Sequence, residues 1–193
     1  LVAGLLVRQP ATTTIVIIMA AAMVVYFVSG AKLTYIMGVA GIGALALAFH
    51  VGEPRATRDI DVNVFLPPQS IDKVEQALAK QVTFSDEQRD AVRAESQVRV
   101  FWGDTPIDVF FSTHKFHDDA LRYVEKHDFA GAQIPILSAD HLAVFKAFYN
   151  RTKDWADIEE MIAVGSLDQS RVVGWLLRLL GPDDERVLRF LAL

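Results

Sequence analysis

Asp59 and Asp61 stand two positions apart in Asp59-Ile60-Asp61-Val62-Asn63-Val64-Phe65, a run with the alternation of a half-buried strand. Strand side chains alternate between faces, so Asp59, Asp61 and Asn63 share one side while Ile60, Val62 and Val64 share the other. Two carboxylates on one face repel each other and add nothing to a core. They become useful when a divalent cation sits between them, because hard cations such as Mg2+ take carboxylate oxygens. The competing reading is a solvated edge strand that carries its acids by chance. Gly52, Pro54 and Arg55 set a turn directly before the run, and Thr57 adds β propensity.

A third acid, Asp108, lies in the alternating stretch Ile107 to Ser112, with Ile107, Val109 and Phe111 on the opposite face. A lone carboxylate in an apolar strand is costly unless it is paired or on metal. Its alternative is an acid on a solvated sheet face. Further on, Lys146 is followed by Arg151-x-Lys153-Asp154-x-x-Asp157, a charged helix-turn-helix whose ion pairs, if exposed, are each worth little. His114, His117 and His127 fall among Asp118, Asp119 and Asp128 without the ligand spacing of a zinc site, so they read as surface histidines.

These groups need elements to position them. Glycines at 38, 41 and 43 are costly inside a helix. They suit a strand from about Tyr35 to Ile42, a turn at Gly43 and a helix from Ala44 to His50; a second apolar span would fit the same residues. The strand-turn-helix brings the N–H groups of a helix start towards the aspartates, and such termini favour phosphate. A helix is predicted from about Ser70 to Lys80, N-capped by Ser70, with Ile71, Val74, Ala77 and Leu78 as its apolar stripe. A polar stretch to Glu95 reads as a short helix and loop. Val98 to Trp102 and Ile107 to Ser112 alternate as strands about a Gly103-Asp104 turn, and residues 114 to 128 read as a polar connection. Ile134 to Leu137 is a short strand. Ser138 then N-caps a helix from Ala139 to about Asn150 that buries Leu142, Phe145, Phe148 and Tyr149 and turns Lys146 and Asn150 to another face. Further helices are expected to about Val164, from Ser170 to the Gly181-Pro182 break, and from Asp184 to Leu193.

The blocks Gly43-Ala44-x-Ala46, His50, Gly52-x-Pro54-Arg55-x-Thr57-x-Asp59-x-Asp61 and Lys146 … Arg151-x-Lys153-Asp154-x-x-Asp157 occur in the order of a known pattern. They resemble the nucleotidyltransferase superfamily and, more narrowly, the AbiEii toxin-like group, with Gly43-Ala44 where the superfamily carries Gly-Gly or Gly-Ser. The resemblance implies an α/β fold with a small mixed sheet and flanking helices over residues 34–193. It implies Asp59, Asp61 and Asp108 as catalytic metal ligands, with Asp108 on a strand antiparallel to that of Asp59 and Asp61. It also implies Gly43, Ala44, Arg55 and Lys146 at the nucleotide phosphates, Mg2+ or Mn2+ as cofactor, and an NTP as substrate.

Charge is unevenly spread. The chain of 193 residues has a net charge of −5 and no cysteine, which excludes disulfides and thiolate metal sites and offers nucleic acid no global basic field. Before His50 the only charged residues are Arg8 and Lys32. Residues 11–29 form an uncharged run that as a helix measures roughly 28 Å, close to the ~30 Å core of a bilayer, with Tyr26 near one end. A helix covering a soluble core would keep a polar face, and this one has none. A membrane span over 11–29, within an N-terminal segment 1–33, is therefore expected. Gln9-Pro10 before the run and Ser29-Gly30-Ala31-Lys32-Leu33 after it are similar to a transmembrane segment of the FtsW/RodA (SEDS) glycan polymerases, though none of that family's catalytic loops accompanies them. A fused reading frame would explain two resemblances meeting near residue 40.

The function expected is metal-dependent transfer of a nucleoside monophosphate from an NTP to an acceptor hydroxyl of RNA (tRNA included), protein or a small molecule. The setting is a cytoplasmic catalytic domain anchored at its N-terminus, as a toxin with an antitoxin partner. Two alternatives come from other classes: a non-catalytic nucleotide-binding or interaction module of the same fold, and a membrane-anchored cell-division-type fragment.

Overall fold

The computed structural model describes residues 39–42, 44–52, 60–77, 84–102, 104–129 and 132–193. The apolar run 11–29, Gly43, Arg55 and Asp59 lie outside the described residues. Among the described residues, no helix is long and apolar enough to cross a membrane.

The chain enters with strand β1 (Val39–Ile42) and passes at once into helix α1 (Ala44–Val51). Strand β2 (Ile60–Val64) follows, then a 3-10 turn (Pro68–Ser70), helices α2 (Ile71–Ala77) and α3 (Asp86–Glu95), and the hairpin β3 (Gln97–Trp102) and β4 (Thr105–Phe111). Helix α4 (Lys115–Arg122) leads to strands β5 (Glu125–Phe129) and β6 (Ala132–Ile136). Helices α5 (Ala139–Tyr149), α6 (Thr152–Ala163), α7 (Gln169–Leu180) and α8 (Glu185–Leu191) close the chain. Among the described residues, the strands form one mixed sheet in the order β3-β4-β2-β1-β6-β5.

Alternation decides which side of the sheet is covered. Val62, Val64, Val98, Val100, Ile107, Val109 and Phe111 face one way on β2, β3 and β4, and pack against Ile71 and Val74 of α2 and Val92 of α3. Helix α3 is held at its start by a capping box between Ser85 and Gln88, and its Arg89 bonds Asp72 and Glu75 of α2. A second core joins α1, β6 and α5 to α8, with Trp155, Ile158, Met161 and Leu176 fully buried.

Several expectations change. Asp108 sits on a strand that runs parallel, not antiparallel, to β2. The reason is topological. The α2–α3 connection returns the chain at the sheet edge as β3, antiparallel in sense to β2, and the hairpin then reverses direction and inserts β4 between them. The 114–128 connection is a helix and a strand. His114 Nδ1 caps α4 by accepting from the Phe116 N–H at 3.1 Å, Phe116 and Ala120 are buried one turn apart, and β5 is a charged edge strand with no apolar alternation to reveal it. On α5, Phe148 and Tyr149 are exposed while His141 and Lys146 are buried, because α6 and α7 cover the side that carries Lys146. Ser70 is the last residue of the 3-10 turn and directly precedes α2. Ser138 occupies the N-cap of α5, but its hydroxyl bonds His141 Nδ1 at 2.7 Å instead of a backbone N–H.

Candidate active site

Strands β2 and β4 lie side by side in a register that pairs Ile60 with Ile107, Asp61 with Asp108 and Val62 with Val109. Neighbouring strands are about 4.8 Å apart. Asp61 and Asp108 therefore stand shoulder to shoulder on the face turned away from the valine core. The row continues on both sides: Arg99 of β3 is opposite Asp108, and Ile42 of β1 is opposite Asp61. Strand β1 ends at Ile42 and α1 starts at Ala44, so the helix N-terminus lies at the Asp61 end of the sheet.

Asp108 is held by a guanidinium fork. Arg99 Nε donates to Oδ1 at 2.6 Å and Nη2 to Oδ2 at 2.5 Å, the two-point geometry that makes arginine–carboxylate pairs strong. The Asp108 side chain is 20% exposed and that of Arg99 54%. Asn63, on the same face two residues beyond Asp61, is fully buried, and neither end of its carboxamide has a hydrogen-bond partner among the described residues. A buried amide left so is expensive.

Tyr149, at the C-terminal end of α5, reaches this face. Its ring lies 6.2 Å from that of Phe110, and the Arg151 guanidinium stands 5.3 Å over it. Partial burial pushes the phenol up to about 12, and the charges of Asp61, Asp108 and Asp154 act in the same direction against Arg151. The left-handed Asn150 (φ 57°) ends α5, and its side-chain carbonyl accepts from Trp155 Nε1 at 2.7 Å.

Lys146 is 7% exposed and turns into the α5–α6 joint, where Nζ lies 2.6 Å from Asp157 and 3.7 Å from Asp154. Asp154 also accepts from Arg151 Nε at 2.6 Å, which raises the arginine's pKa. Lys146, Asp154 and Asp157 thus form a buried network that fixes two helices, and the exposed Arg151, bonded to Asp154, carries it to Tyr149. His50 Nε2 donates to the Leu137 carbonyl at 2.7 Å and ties α1 to the end of β6. Of the residues expected at the site, Asp61 and Asp108 are brought together. Lys146 belongs to the helix joint, and nothing is described of the Ala44 side chain. Sequence reasoning missed Arg99 and Tyr149. For Arg99 the signal was present: a two-residue turn at 103–104 pairs Trp102 with Thr105, and counting back three pairs Arg99 with Asp108.

A hard divalent cation takes six or more oxygen donors. This face offers two adjoining carboxylates and, beside them, a carboxamide oxygen that nothing else among the described residues uses. The donor chemistry fits such an ion. Among the described residues, no three His, Cys, Asp or Glu side chains converge; Asp59, which shares the Asp61 face by alternation, lies outside them.

No protein-family model matches this chain, and no curated protein matches it. Among solved structures, the chain is similar to the antibiotic-resistance factor ANT(2″)-Ia in solution, with a TM-score of 0.55 at 13% identity over 86% of this chain and 94% of that one. The fold is nucleotidyltransferase-like. The same factor in complex with adenylyl-2″-tobramycin gives a TM-score of 0.47 at 14% identity over 80% and 87% of the two chains. The lincosamide antibiotic adenylyltransferase LnuA, lincomycin-bound, gives 0.43 at 17% over 65% and 86%. Identities this low speak to the fold alone.

Proposed function

We propose that this chain transfers a nucleoside monophosphate from an NTP to an acceptor hydroxyl. The observation that carries the reading is the in-register pair Asp61 and Asp108, beside the N-terminus of α1, on a nucleotidyltransferase-like sheet. Asp59, Asp61 and Asp108 would hold Mg2+ or Mn2+; bound there, the ions supply charge stabilisation to the attacking and leaving oxygens. The acceptor oxygen attacks the α-phosphorus, the bond to the β-phosphate oxygen breaks, and pyrophosphate leaves. Asp108 takes the acceptor proton. The backbone N–H groups about Gly43 and Ala44 and the Arg55 guanidinium meet the phosphates. Lys146 acts on the phosphates through the α5–α6 joint, by fixing Tyr149 and Arg151 beside the carboxylates. The AbiEii-like blocks favour a toxin whose acceptor is tRNA or protein and which has an antitoxin partner. Residues 11–29 would anchor a domain that begins near residue 34 to a membrane.

The test is transfer of label from α-labelled NTPs with Mg2+ or Mn2+ to RNA, protein and small-molecule acceptors, with pyrophosphate release as a second readout. Wild type is expected to turn over, and Asp61→Asn to fall by roughly 10² or more. No turnover with any acceptor would remove the catalytic reading. One observation favours the rival, a non-catalytic nucleotide-binding module: both Asp108 oxygens are engaged by Arg99. Calorimetric NTP binding without turnover would select it.

A further inference from the structure

Arg99, Asp108 and Asp61 form one row across three strands, with Arg99 paired to Asp108 at its outer end and the charge of Arg151 acting on Asp61. The cap has a specific geometry. Each Asp108 oxygen receives its own guanidinium N–H, at 2.6 and 2.5 Å, so two of the carboxylate's roughly four lone-pair sites are taken. A divalent cation approaching the others meets the guanidinium charge alongside. Arg99 stands on the edge strand with its side chain more than half exposed, while Gln88 Nε2 holds its backbone carbonyl at 3.0 Å, so a shift of the guanidinium along the row needs no movement of the sheet.

We infer that Arg99 is a resident counter-cation of the carboxylate site: it holds Asp108 oriented while the site has no divalent ion and gives the carboxylate up when one binds. Arg99 is thus a positioning residue that sets metal affinity, and the ion and the guanidinium compete for Asp108. Once off Asp108, the guanidinium remains beside the row, where a phosphate oxygen pair offers the same fork. The inference rests on the reading that these carboxylates bind a divalent cation.

The experiment is calorimetric titration of the full chain with Mn2+ alone, without nucleotide, for wild type, Arg99→Ala and Arg99→Gln, with melting temperature followed over the same titration. Glutamine keeps most of the side-chain length and serves if the alanine variant fails to fold. Both variants are expected to bind Mn2+ roughly 1.5-fold to fivefold more tightly than wild type, the range that loss of a partly exposed ion pair supports, and to show the larger Mn2+-dependent rise in melting temperature. Binding by the variants alone, with none by wild type, would support the inference in its strongest form. Equal or weaker binding by the variants, with wild type binding, would overturn the counter-cation role and leave the cation site standing. Absence of binding in all three would overturn the cation site and the inference with it.

Discussion

At the scale of single residues, the informative neighbour of the two aspartates is a tyrosine. Tyr149 is 41% exposed, yet partial burial and the nearby Asp61 and Asp108 charges push its phenol up to about 12. The ordinary value is about 10, so the folded chain holds this proton where the unfolded chain releases it. Stability from this group is fully present below pH ~10 and is lost as pH rises towards ~12. Ring-carbon NMR at pH ~10.5 should find Tyr149 neutral, identified by its absence from the spectrum of Tyr149→Phe. Asp61→Asn should lower its titration point, because one of the charges that raise it has gone. An unshifted Tyr149 would mean that its hydroxyl does not feel the carboxylate row.

At the scale of elements, the α5–α6 joint sets the reach of that tyrosine. Lys146, Asp154 and Asp157 are nearly inaccessible to water, their side chains 9%, 1% and 8% exposed, and they satisfy one another together with Arg151. Removing one partner of such a set leaves buried charge uncompensated, at a cost of about 3–5 kcal/mol. Lys146→Met is therefore expected to lose that much in urea unfolding, in the absence of any nucleotide. Unchanged stability with weakened NTP binding would instead mean that Lys146 contacts phosphate directly. The spacing Lys146 … Asp154-x-x-Asp157 was legible as a motif. Its burial was not: α5 carries polar and apolar residues all round, and only the packing of α6 and α7 selects the face that is covered.

At the scale of the whole molecule, charge divides the chain. Residues before His50 carry two charged side chains, Arg8 and Lys32, while the rest has the mixture of a soluble α/β domain. A helix over 11–29 would be long enough to span a bilayer. The full chain is therefore expected to sediment with membranes after cell lysis, and residues 34–193 to stay in the supernatant. A full chain found in the supernatant would reject the anchor.

The sequence by itself determined most local elements, α4 and β5 excepted, and the chemistry of the strand that carries Asp61. Alternation predicted β2, β3 and β4 and placed Asp61 and Asp108 opposite the apolar residues of their strands, because a period of two needs no knowledge of the partner strand. Even the Arg99–Asp108 pair was derivable, since a two-residue hairpin sets its own register. Other features were decided only by tertiary structure: β4 lying parallel to β2, the charged edge strand β5, the burial of Lys146, and the approach of Tyr149 to a row far from it in sequence. Each depends on which surfaces meet across long stretches of chain, and neither propensity nor spacing encodes that pairing.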